Sequence, residues 1–214
     1  RSAVAIDADI PPAIAALFGC AVLTGVGAVF NAAVVRPGES VAIWGLGGVG
    51  LAALLGAVAA GAEPVIAIDP VPEKRALALE LGARAAVAPD AAEATFAAHG
   101  RPRVAIETAG KGAVLAEAYR LLARGGRLVT VGLPNPADPF TIPAVSLVAE
   151  AKTVMGSYMG NAIPVRDVPR YIALWRAGRL PVERLLSGTR PLSDINAALD
   201  DLASGQAVRQ ILLP

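Results

Sequence analysis

From Val41 onward, short runs of β-prone residues alternate with stretches where alanine and leucine recur at helical spacing. VAIW (Val41–Trp44) predicts a first strand, followed by a cluster of glycines. LAALLGAVAA (Leu51–Ala60) predicts a helix packed on a sheet. PVIAID (Pro64–Asp69) is the next strand. A helix over Pro72–Gly82 follows, with proline near its start and glycine at its end. A weaker strand at Arg84–Val87 and a short alanine-rich helix around Ala91–Ala98 come next. Arg103–Thr108 predicts a fourth strand, Gly112–Gly126 a helix stopped by glycine, and Gly126–Gly132 a fifth strand. Beyond a proline-rich loop, a helix near Ala144–Ala151 leads to a sixth strand, Lys152–Tyr158. Strands alternating with helices imply right-handed βαβ crossovers, and hence an α/β fold with a doubly wound, six-stranded parallel sheet.

The two ends of the chain do not extend that alternation. In Pro164–Gly178 the apolar positions Val168, Ile172 and Trp175 have helical spacing. In Arg190–Gly205, a cap at Ser193 or Asp194 precedes Ile195, Leu199 and Leu202 on one face. VRQILLP closes the chain as a strand. Neither helix completes a unit with the sheet, so the tail is expected to pack elsewhere and to leave apolar surface around Leu17, Trp175 and Leu199. The chain opens on Arg1 with no leader-like segment, which reads as a start within a longer protein.

Composition narrows the function classes. Hydrophobic residues make up 55% and charged residues 17% of the chain, enough to build a large core. Nineteen basic against eighteen acidic residues leave a net charge of +1, with no basic stripe to suggest a nucleic-acid or anionic-membrane partner. Ile10–Val35 and Val41–Ala62 are uncharged and long, but glycines and prolines interrupt them. They read as buried elements rather than membrane spans. A single cysteine excludes an internal disulfide and suits a reducing compartment, the cytoplasm.

GLGGVG (Gly45, Leu46, Gly47, Gly48, Val49, Gly50) lies between a predicted strand and a predicted helix, where a dinucleotide pyrophosphate is bound. Gly45 permits the tight turn, Gly47 lets the backbone approach the phosphates, and Gly50 lets helix and strand pack closely. The helix N-terminus offers free N–H groups to the anion. Asp69 ends the second strand about 20 residues on, where a carboxylate accepts hydrogen bonds from the adenosine ribose and repels a 2′-phosphate. The pair predicts a Rossmann site for NAD rather than NADP. Lys74 and Arg75 follow Asp69 closely, as cofactor contacts or as a solvated helix face. His99, the one histidine, is read as a solvated loop residue.

The segment FGCAVLTGVGAVFNAAVVRPGESVAIWGLGGVGLAALLGAVAAGA, with IAIDPVPEKRALALELGA, RLVTVGLP and SGQAVRQILL, resembles the zinc-dependent medium-chain alcohol dehydrogenases, nearest to their class III-like members. By itself, Cys20 reads as a core residue. The resemblance instead implies that Cys20, in Gly19-Cys20 just before Thr24-Gly25, is one of three protein ligands of a catalytic zinc. It further implies that Thr24 and Met159 lie beside the nicotinamide, that Val131 and Leu133 bind its carboxamide, and that Arg209 reaches the pyrophosphate. Residues 1–21 would then be a remnant of the catalytic domain and 22–158 the NAD-binding domain. Residues 159–214 would return to the catalytic domain, most of which would be absent. The implied activity is reversible hydride transfer between a small-molecule alcohol and NAD, in a protein that is a homodimer or homotetramer when intact. A zinc-free quinone or enoyl reductase, or a non-catalytic NAD-binding module, is the alternative.

Overall fold

The computed structural model describes residues 3–205 and 207–214, so Arg1 lies outside it. Six strands form one parallel sheet: β1 (Val41–Trp44), β2 (Val65–Ile68), β3 (Ala85–Val87), β4 (Val104–Glu107), β5 (Arg127–Thr130) and β6 (Thr153–Gly156). Their order is β3-β2-β1-β4-β5-β6, so the winding reverses between β1 and β4. Helices α2 (Gly48–Ala59), α3 (Pro72–Glu80), α4 (Ala92–His99), α5 (Gly112–Leu121) and α6 (Ala144–Ala149) make the crossovers.

Successive strand residues point to opposite faces, and VAIW, VIAI and the first three residues of VAIE are apolar on both. Ile43, Ala67, Ile106 and Val129 join one core with α2. Ala42, Trp44, Ile66, Ala105 and Leu128 join the other with α4 and α5, where Trp44 meets Phe96 at 5.7 Å between ring centres.

Several features depart from the sequence pattern. The apolar stretch near the start forms a helix, α1 (Pro12–Ala32), long and apolar enough to cross a bilayer. In its most apolar window, 56% of the residues are nevertheless buried within the protein, as in a core helix. The helix runs through positions 21 and 22, and Leu17 is buried rather than exposed. Helix α5 stops at Leu121, short of the expected glycine. Leu122 turns extended to bury its side chain, and the Ala123 N–H donates to the Pro102 carbonyl at 2.9 Å. His99 is the exposed last residue of α4 rather than part of a loop.

The tail divides into two parts. Helix α7 (Pro164–Arg176) buries Val168, Tyr171 and Ile172 in the α1–α2 core, and Trp175 packs edge-on to Phe18 at 6.4 Å. This helix therefore belongs to the main body, contrary to expectation. The remainder is a small β-α-β unit: β7 (Leu186–Pro191), unforeseen in the sequence, pairs in parallel with β8 (Arg209–Leu213) across α8 (Ile195–Ala203). Asp194 occupies the N-cap position of α8 without a side-chain capping bond. Ile195, Leu199 and Leu202 line an exposed apolar stripe, as expected near Leu199.

Asp167 anchors α7 to α1. Its carboxylate is fully buried and accepts from Arg166, Arg170, the Ile163 N–H and Asn31 Nδ2. The Arg166 hydrogen bond holds its pKa below the usual aspartate value, against the opposing effect of burial. Burial, followed by the Asp167 charge, pushes the neighbouring Tyr171 hydroxyl up to about 12. Removing Asp167 leaves several donors without an acceptor, although its two arginines are half in solvent. Asp167→Ala should therefore cost about 2–3 kcal/mol in urea unfolding. A depressed carboxylate stabilises the fold above the usual aspartate range and loses that effect as pH falls through the folded-state value. Wild-type stability should drop at acid pH more steeply than that of Asp167→Ala.

Candidate functional site

A cleft of about 440 Å³ opens at the carboxyl ends of β1 and β2, beside the point where the strand order reverses. Gly45, Leu46, Gly47, Asp69 and Lys74 line it, together with Val71, Pro89, Thr108, Ala109, Lys111 and Glu117.

Each position of the glycine loop has a separate physical reason. Gly45 has φ +88°, which glycine adopts without strain. A methyl group at Gly50 would overlap the Gly45 carbonyl oxygen, so strand and helix meet here at backbone contact. At Gly48 it would strike the Arg209 guanidinium. At Gly47 it would meet nothing within 4 Å and would project into open space. Because the helix begins at Gly48 rather than Leu51, its first N–H groups, which lack intrahelical acceptors, belong to the loop itself. Val49 faces the other way: its carbonyl lies where a side chain on Gly25 of α1 would be, so α1 crosses α2 in close contact.

Asp69 is buried and shapes the loop. Its Oδ2 accepts the Leu46 N–H at 2.7 Å and its Oδ1 accepts the Val71 N–H at 2.8 Å. Arg75 turns away from the cleft to donate to the Asp69 and Pro70 carbonyls, both at 2.8 Å. That leaves Lys74 as the cation of this pair that lines the cleft. Arg209 reaches from β8 to the start of α2, and its buried Nε has no hydrogen-bond partner among the described residues. An open glycine, free helix N–H groups and an unpaired guanidinium nitrogen together form a cradle for a dinucleotide's phosphates. The residues present fit that ligand.

The remaining sequence-derived residues lie outside the lining of this cleft. Thr24 is buried in α1 against the turn of Gly160, whose backbone packs on the Leu23 and Thr24 carbonyls. Met159, 39% exposed, precedes that turn. Val131 packs on the core and Leu133 is exposed, while Gly132 between them lies against Gly110. Cys20 is exposed, not a core residue, and sits in a widened turn of α1 (Phe18–Val22). Such turns occur often at functional sites. Among the described residues no three His, Cys, Asp or Glu side chains converge into a metal site, so Cys20 belongs to no such cluster there.

Two contributors escaped the sequence reading. The Thr108 hydroxyl donates toward the Gly45 and Trp44 carbonyls, at 2.8 and 3.1 Å, and fastens the loop to β4. Glu107 is buried at the end of β4. A polar pair ending an otherwise apolar strand, directly before a glycine turn, was the available signal.

The two central glycines should separate folding from binding. Gly50→Ala forces backbone apart and should cost about 2–3 kcal/mol of stability. Gly47→Ala should melt like wild type yet weaken NAD binding about tenfold or more, because its methyl occupies phosphate space. Differential scanning fluorimetry and calorimetry check the two effects.

A family model described as zinc-binding dehydrogenase matches residues 48–176. The chain is 38% identical to geraniol dehydrogenase of Castellaniella defragrans, over 99% of this chain and 58% of that protein. It is 36% identical to alcohol dehydrogenase B of Mycobacterium tuberculosis, again over 99% and 58%. Among solved structures, an alcohol dehydrogenase zinc-binding domain protein from Burkholderia ambifaria superposes with a TM-score of 0.94 at 34% identity, covering 99% of this chain and 58% of that one. Benzyl alcohol dehydrogenase from Acinetobacter calcoaceticus gives 0.93 at 30% identity, covering 98% and 59%. The chain thus spans just under three-fifths of the length of these relatives. The glycine-loop fold and the family match over residues 48–176 agree: this chain belongs to the zinc-binding dehydrogenase family.

Proposed function

We propose that this chain is the NAD-binding portion of an alcohol dehydrogenase, in which a small-molecule alcohol and its aldehyde or ketone are interconverted by hydride exchange with the cofactor. The observation that carries the reading is the phosphate cradle: Gly47 open to the cleft, the start of α2 beside it, and the unpaired Arg209 Nε against Gly48. The nicotinamide supplies the hydride chemistry when NAD is bound. The chain's own residues bind and orient. Gly47, Gly48 and Val49 offer N–H groups to the pyrophosphate, Arg209 adds charge, and Asp69 accepts from the adenosine ribose. Lys74 borders the same cleft. Thr24, Met159, Val131 and Leu133 are assigned to the nicotinamide end by the family resemblance.

Cys20 is assigned as one zinc ligand on the same resemblance. A single thiolate does not by itself hold a catalytic zinc. The names of the relatives, geraniol and benzyl alcohol dehydrogenases among them, support the alcohol class. For assembly, β6 leaves an open sheet edge, with exposed Val145, Val148 and Tyr158 close to it in sequence. Pairing through that edge to a homodimer, or a homotetramer built from it, would cover both. A lone cysteine suits a reducing compartment, and we assign the protein to the cytoplasm.

Calorimetry with the two oxidised cofactors tests the central reading. NAD should bind at least about tenfold more tightly than NADP, because Asp69 opposes a 2′-phosphate. Equal or reversed affinities contradict it. Metal analysis after dialysis should find well below one zinc per chain, and stoichiometric tight zinc would reveal ligands not recognised here.

A further inference from the structure

The central strands end in a single row, of which Ile68 and Trp44 line the cleft. Trp44, Glu107 and Thr130 are register partners across β1, β4 and β5, with Ile68 and Gly156 on either side. Glu107 is the charged member of this row and is 1% exposed. Its Oε1 accepts the Gly110 N–H at 2.7 Å and its Oε2 accepts the Thr130 hydroxyl at 2.9 Å. Both donors are neutral, and no lysine, arginine or histidine forms an ion pair with Glu107 among the described residues. Nearby charges are engaged elsewhere or exposed. Asp69 is held by the Leu46 and Val71 amides, Asp138 accepts the Gly112 N–H, and Lys111 is on the surface.

The two hydrogen bonds tie three segments together. Gly110 belongs to the turn after β4, and Thr130 leads into the loop after β5. Gly110 and Gly132 are also in backbone contact, so the two loops are joined, with Glu107 bracing both. Bracing does not require a charge, however. A glutamine in the same place would accept from Gly110 through its oxygen and donate to the Thr130 hydroxyl through its nitrogen. Burying a carboxyl group where an amide would brace equally well is costly, and its presence needs a reason.

The fold provides one. It consists of two mononucleotide halves, β1–β3 and β4–β6. The glycine loop and Asp69 belong to the first, so the second base of a bound dinucleotide would belong to the β4–β6 half. In NAD that base is the nicotinamide, which is a cation when oxidised and neutral once reduced. A negative charge held near that base would attract one form and not the other, and low-dielectric surroundings would preserve the difference. We propose that Glu107 is a positioning residue with an electrostatic role: its buried carboxylate biases the site toward oxidised over reduced NAD. The inference rests on the dinucleotide reading above.

The test is the ratio of affinities for NAD⁺ and NADH, measured by titration of the full chain. Glu107→Gln keeps the shape and both hydrogen bonds but removes the charge. It should lower NAD⁺ affinity relative to NADH by about fivefold or more. Thr130→Val breaks one brace and keeps the charge, so it should weaken both forms together and leave the ratio within about twofold. Thr130→Lys brings an ammonium group to the same carboxylate and should lower the ratio as Glu107→Gln does. It also decides the question if Glu107→Gln does not fold. An unmoved ratio in the folded charge-altering variants overturns the proposal, as does an equal shift in Thr130→Val. If the wild-type chain binds neither form, the dinucleotide reading itself fails.

Discussion

The structure depends on backbone crowding at the start of α2. Gly50 rests on the Gly45 carbonyl, so helix and strand meet without a side chain between them. Three other elements converge on the same turn. Thr108 of β4's end fastens the Gly45 carbonyl, Arg209 of β8 lies against Gly48, and Gly25 of α1 lies against the Val49 carbonyl. Each contact admits only glycine at one of its positions, or a long cation reaching over one. The loop's geometry is therefore imposed from four sides.

That convergence links the nucleotide cleft to the rest of the chain. Because α1 crosses α2 at Gly25 and meets the Gly160 turn at Gly27, the helix carrying Cys20 and Thr24 is held in register with the phosphate loop. Asp167 secures the other side by binding Asn31 of α1 and the arginines of α7. The small β7–α8–β8 unit delivers Arg209 to the start of α2. Its exposed Ile195, Leu199 and Leu202 stripe contrasts with the well-buried faces of α1 and α7.

The sheet was readable in the sequence because parallel strands buried on both faces are uninterrupted apolar runs, and glycine or proline bounds each crossover helix. The glycine loop and Asp69 were readable because their spacing follows from the chemistry of a pyrophosphate beside a ribose. Other features had no local signal. Helix α1 lacks caps and is rich in glycine, which lowers its helical propensity, and only its packing on α2 and α7 makes it a helix. Strand β7, with its glycine and proline, pairs only because β8 returns beside it. The early end of α5 depends on where Leu122 finds a core. The exposure of Cys20 and the placement of Glu107 between Gly110 and Thr130 are tertiary facts that spacing does not contain.

Amide chemical-shift mapping during NAD⁺ titration tests most directly whether the start of α2 is the phosphate site. The largest changes should fall on the amides of Gly47, Gly48, Val49, Asp69 and Val71, and on the Arg209 Nε–H, which gains a partner. Changes centred on another surface, with the glycine-loop amides and Arg209 unmoved, would contradict this account.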